Sequence, residues 1–185
     1  MLPELSLNIL DIVNNSISAE ADFVIIEVRI HKMNDELTIK ITDNGKGIPQ
    51  ERLSKVEDPF YTTRNTRKVG LGIPFFKQAA EITGGNFKIE SVPGNQTVVY
   101  ASFGLTHIDR MPLGDICSTI YTLLLANQNI DFLYVYEVDG REFQLDTRKL
   151  REILGDIPFD EPEVAKFIRD FLKENHREVD DGLTF

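Results

Sequence analysis

A chain with one cysteine, Cys117, cannot close an internal disulfide or build a cysteine metal cluster. Cations are also scarce, with 20 Lys and Arg against 30 Asp and Glu, net −10. Sequence-independent nucleic-acid binding rests on cations facing phosphates, so no nucleic-acid partner is expected. The uncharged run at residues 116–130 is too short and too polar to cross a bilayer, so no membrane partner is expected either. The opening "MLPELSLNIL" has no positive charge ahead of its apolar residues and does not read as a signal peptide. Internal repeats, low-complexity segments and His, Cys or carboxylate clusters at zinc spacing are all missing. The expectation is a cytoplasmic protein.

The apolar fraction of 42% is enough for a real core. Charge is uneven along the chain. Residues 1–108 carry 11 basic and 13 acidic side chains, net −2; residues 109–185 carry 9 and 17, net −8. Two domains are expected on that division, 1–108 and 109–185.

Helical spacing of Leu5, Ile9, Ile12 and Ser16 predicts a helix over 3–20. Alternating apolar positions predict strands at 22–31, 36–42, 86–92 and 96–105, with a second helix from "GLGIPFF" to Gly84 or Gly85. Strands and helices in the order α-β-β-α-β-β predict an α+β fold rather than a parallel βαβ sheet. After residue 109 a helix, a hairpin turning at Asp139-Gly140 and an amphipathic helix follow, then a loose tail "VDDGLTF". Two apolar stripes, on 116–124 and 164–171, exceed what so small a unit needs. They are read as faces for a protein partner or a second copy of the chain.

Four stretches carry chemistry. In "LNILDIVNNSISA", Asp11 and Asn15 lie four apart on one helix face, beside the apolar stripe. An Asn oxygen can ligate Mg²⁺, and a carboxylate can orient or deprotonate a hydroxyl; a solvated polar strip is the plain alternative. In "DNGKGIP", Asp43 can accept from an exocyclic amine while Gly45 and Gly47 let backbone approach a flat ring; a simple turn stays open. In "DPFYTTRNTRKVG", Thr62, Thr63, Arg64, Arg67 and Lys68 suit phosphate oxygens, or form only a solvated loop. "GLGIPFF" sets Gly70 and Gly72 before a helix, whose free N–H groups can face phosphates. Thr97, at a strand start in "PGNQTVV", can reach Asp43 or a base.

In this order, "DxxxN", "DNGKGI", "PFYTTR" and "GLGI" resemble the N, G1, lid and G2 motifs of the GHKL ATPase superfamily. The resemblance covers about residues 3–105 and implies a two-layer α/β sandwich with ATP lying on an antiparallel sheet. It implies that Asp43 holds the adenine amine, with Gly45, Gly47, Ile48 and Thr97 around it. It implies Asn15 on Mg²⁺, Asp11 as the catalytic base, and Thr62, Thr63, Arg64, Lys68, Gly70, Leu71 and Gly72 over the phosphates. Departures are visible. Asp11 stands where many members carry Glu, and Ser18 replaces the Asp of the mismatch-repair "NSxDA" pattern. No helical hairpin with a phospho-accepting His is expected, and His31, His107 and His176 read as surface residues. The expected function is phosphoryl transfer to a protein in trans or ATP hydrolysis. The alternative is an ATP-dependent conformational switch or regulatory binding module without turnover.

Overall fold

A computed structural model describes residues 4–53, 55, 56 and 72–185. Alternation decides the sheet. In β1 (Phe23–His31) every second side chain is apolar, and Val24, Ile26, Val28 and Ile30 are the buried ones. β2 (Glu36–Asp43) buries Leu37, Ile39 and Ile41 in the same way, and ends on a buried Asp43. β3 (Phe87–Val92) and β4 (Gln96–Gly104) form the next hairpin. β5 (Asp131–Val138) and β6 (Arg141–Asp146) form the last one.

All six strands belong to one sheet, in the order β3-β4-β2-β1-β5-β6. Four of its pairs are antiparallel, while β1 and β5 run parallel from Phe23–Asp131 to Ile30–Val138. Over the residues that the resemblance covers, β3-β4-β2-β1 pair antiparallel as expected, and β5 adds the one parallel neighbour that makes the whole sheet mixed. The physical reason is the crossover through α4 (Ile116–Ala126), which returns the chain beside β1 in the same direction. The sheet therefore passes without a break from residues before 108 to residues after it.

The helices cover the apolar face. α1 (Leu5–Ser18) packs between α3 (Gly72–Ile82) and α4, and α4 packs against α6 (Pro162–Asp180). One contiguous core joins Ile9 and Val13 of α1, Phe76 of α3, Ile120 of α4 and Ile168 of α6 to the strands. The stripes on 116–124 and 164–171 are largely consumed there: Ile116, Ile120, Leu124, Val164 and Ile168 are buried, and Phe167 alone of them is mostly exposed, at 54%. The expectation that these stripes wait for a partner therefore loses its basis. α2 (Gln50–Leu53) is a single turn. α5 (Thr147–Leu154), which the sequence reading did not place although Leu150, Ile153 and Leu154 recur at helical spacing, starts at Asp146, whose carboxylate accepts from the Arg148 amide.

The tail is tied down rather than loose. Leu113 donates its amide to the Phe185 carbonyl at 2.6 Å, and Asp181 takes both terminal nitrogens of Arg141 at 2.8 and 2.7 Å. Residues 112 and 113 in turn accept from the amides of Leu5 and Ser6, so the tail braces the start of α1.

Candidate functional site

α1 brings Asp11, Asn15 and Ser16 to the edge of the core, and β2 delivers Asp43 beside them. Ser16 Oγ donates to Asp43 Oδ2 at 2.6 Å, and the Gly45 amide donates to Asp43 Oδ1 at 2.9 Å. Both residues are nearly covered, Ser16 at 3% exposure and Asp43 at 6%. Ser16 is the site residue that sequence reasoning missed. Its place in the apolar stripe made it look like core, and only the sheet shows which carboxylate it meets.

The loop after Asp43 is held by the chain itself. Asn44 Oδ1 accepts from the amides of Asp22 and Phe23, the Lys46 amide donates to the Ala19 carbonyl, and Gly94 donates to the Lys46 carbonyl. Gly47 has φ +69°, and a Cβ there would lie 2.6 Å from the Val92 carbonyl oxygen. A Cβ on Gly45 would lie 2.8 Å from the Ala19 carbonyl oxygen and 3.0 Å from Asp43 Oδ1. A side chain at either position would thus meet the protein's own backbone.

Asn15, Asp43, Gly47, Ile48, Gly72 and Thr97 line one cleft of about 500 Å³, with Ile12, Ile73, Ile89 and Val99 as apolar wall. That volume and that mixture suit a small organic ligand. Thr97 stands opposite Asp43 in the β2–β4 register, but its hydroxyl meets Ser91 Oγ at 2.9 Å. Ser91 Oγ also takes the Ile48 amide at 2.8 Å, which fixes the turn against the β3–β4 hairpin. Asp11 is not among the described residues lining the cleft. It lies against the start of α3, where a Cβ on Gly72 would come 3.3 Å from the Asp11 Cβ. Thr62, Thr63, Arg64, Lys68, Gly70 and Leu71 lie outside the described residues.

A metal fits only in company. Among the described residues no group of three or more His, Cys, Asp or Glu can hold an ion. Asn15, on the cleft wall, supplies one hard oxygen. That suits Mg²⁺, which keeps several waters and shares phosphate oxygens rather than needing a protein cage.

A second cleft of about 720 Å³ runs beneath α4, α6 and the tail and holds none of the predicted ligands. His176 is buried rather than on the surface, stacked on Tyr136 at 3.9 Å between ring centroids and on Tyr134 at 5.6 Å. Its Nε2 meets the Tyr134 hydroxyl at 2.9 Å, and burial lowers its pKa to about 4 against the opposing pull of Asp115. Burial likewise pushes the Cys117 thiol up to about 12, so it stays protonated.

Residues 3–107 match the family described as "Histidine kinase-, DNA gyrase B-, and HSP90-like ATPase". Over 89 residues the chain is 32% identical to Sporulation kinase C of Bacillus subtilis (strain 168), covering 48% of this chain and 21% of that protein. Over 68 residues it is 34% identical to nitrogen regulation protein NtrY of Azorhizobium caulinodans, covering 37% of this chain and 9% of that protein. The chain thus spans about a fifth or less of the length of these relatives. In fold it is similar to the N-terminal domain of a DNA repair protein, with TM-score 0.55 and 18% identity over 78% of this chain and 53% of the other. No described helix is long and apolar enough to cross a membrane.

Proposed function

Because the chain belongs to the histidine kinase-, DNA gyrase B- and HSP90-like ATPase family, we propose that it binds Mg·ATP in the cleft above Asp43 and passes the γ-phosphoryl group to a protein in trans or to water. The observation that supports this best is convergence. Residues from α1, β2, the 44–49 turn, α3 and β4, widely spaced in sequence, meet in one cleft of nucleotide size.

Each residue has a task. Asp43 accepts the exocyclic amine of adenine, while Ile48, Ile73, Ile89 and Val99 exclude water from the ring faces. Asn15 offers its amide oxygen to Mg²⁺, which when bound neutralises phosphate charge. The amides at the start of α3 face the phosphates, helped by the helix dipole. Asp11, one helical turn before Asn15, orients the acceptor hydroxyl or water and takes its proton. Thr62, Thr63, Arg64, Lys68, Gly70 and Leu71 close over the phosphates, as the motifs suggest. Residues 1–108 carry the ligands, and residues 109–185 complete the sheet and the helical layer behind them.

One observation favours the second reading, a switch without turnover. Asp11 packs against Gly72 and is not among the described residues lining the cleft, and as an Asp it is one methylene shorter than Glu. In a switch, ATP shifts partner affinity through contacts that ADP cannot make. Incubating the protein with γ-labelled ATP and a cell extract separates the cases. Label on a protein band supports transfer, released phosphate supports hydrolysis, and label remaining wholly on ATP rejects both in favour of the switch.

A further inference from the structure

We propose that Ser16 is a positioning residue that makes the cleft selective for purines carrying a 6-amino group; this rests on the adenine-nucleotide reading above. The argument is one of hydrogen-bond polarity. A serine hydroxyl has a single proton to give. Two acceptors lie near Ser16 Oγ: the Ile12 carbonyl at 3.5 Å, the outer limit of a hydrogen bond, and Asp43 Oδ2 at 2.6 Å. The short contact falls in the range of charge-assisted O–H···O⁻ bonds, so the proton goes to Asp43.

Asp43 is then gripped at both oxygens by donors from the protein, Ser16 on Oδ2 and the Gly45 amide on Oδ1. The grip stops the carboxylate from turning about its Cβ–Cγ bond. Every lone pair left on Asp43 is an acceptor. A ligand edge that enters the cleft must therefore bring a donor. A 6-amino purine brings one. A 6-oxo purine brings a carbonyl, which sets acceptor against acceptor in a site with little water to intervene. Asp43 supplies the contact, and Ser16 fixes its direction. Without the hydroxyl, Asp43 keeps only the Gly45 anchor, and the carboxylate can rotate away or recruit water.

The test is a titration of wild type, Ser16→Ala and Ser16→Thr with ATP and with purine riboside triphosphate, which carries hydrogen in place of the 6-amino group. Wild type should prefer ATP over purine riboside triphosphate. Ser16→Ala should lose about tenfold in ATP affinity, the worth of one hydrogen bond to a charged group, and less than about twofold for purine riboside triphosphate. Ser16→Thr keeps the hydroxyl and should keep the wild-type preference, which guards against a simple packing defect in the alanine variant. Equal losses for both ligands in Ser16→Ala would show a structural role and overturn the proposal. So would an unchanged ATP affinity. Failure of wild type to bind ATP at all would overturn the adenine-nucleotide reading itself, a result distinct from either.

Discussion

Asp43 accepts two hydrogen bonds from its own chain and keeps acceptor capacity toward the cleft. Asp43→Asn replaces an acceptor with a donor at the point where the adenine amine also donates. We expect the fold to survive, and ATP affinity to fall about tenfold to a hundredfold or more, the cost of a buried unmet pair. Circular dichroism and calorimetry on the same sample check both halves. Asp11 separates the readings of function. Asp11→Asn should still bind Mg·ATP, and turnover should fall about 10²–10⁴-fold if Asp11 is the base; unchanged phosphate release would remove it from the mechanism. His176 gives a pH test. Its folded pKa of about 4 lies below its ordinary 6.5. Between those values the unfolded chain binds a proton that the folded chain refuses, so stability is complete above pH 6.5 and falls as pH drops toward 4. The loss approaches about 3 kcal/mol. Urea unfolding at pH 7.5 and pH 4.5 should show it in wild type and much less in His176→Phe. Asp43 and Asn15 were legible because short motifs carry them. Ser16 and His176 were not, because their partners sit 27 and 42 residues away in sequence.

The elements show how backbone approach limits substitution. α3 ends at a pair of glycines with different reasons for being there. Gly84 has φ +75°, and a Cβ added to it would meet nothing within 4 Å, so it is required only by its left-handed backbone. A Cβ on Gly85 would collide with the Ser102 carbonyl of β4 and lie 2.5 Å from its carbon. Gly84→Ala should cost about 1 kcal/mol, whereas Gly85→Ala should prevent α3 from docking and leave little folded protein. Thermal melts of the two variants decide this, and similar melting temperatures would be contrary to it. Strand and helix periodicity placed most elements to within a few residues, since one-sided burial writes itself into alternation. α5 escaped notice because half of "TRKLREIL" is charged and its apolar stripe is only Leu150, Ile153 and Leu154. Its signals were there: a capping Asp146 at one end and Gly155 with φ +61° at the other. Arg148 also lies over the Phe23 ring at 4.4 Å, a contact that no local pattern announces.

Across the whole molecule, the feature that no local pattern shows is the parallel β1–β5 pair, since strands about a hundred residues apart leave no joint signature. It binds residues before and after 108 into one sheet, and an ion network on the sheet's other face repeats the link. Arg29 of β1 pairs with Glu27 and with Glu137 of β5, and reaches Glu142 of β6 at 3.5 Å; Lys40 of β2 holds Glu27 at 3.0 Å. Because Arg29 keeps 35% of its side-chain surface exposed, Arg29→Met should cost only about 1 kcal/mol. A chain ending at residue 108 is another matter. It would bare the β1 edge and the apolar flank of α1 that α4 covers, so we expect one cooperative unfolding transition in the full chain and no folded protein from the truncated one. A folded fragment would show that the two parts are independent after all.

All of this turns on a cleft that presents acceptors to a purine edge. Calorimetric titration of the wild-type chain with ATP and with GTP, both with Mg²⁺, puts that to the test. The geometry calls for one ATP per chain and GTP weaker by about a hundredfold; equal affinities for the two nucleotides would contradict it.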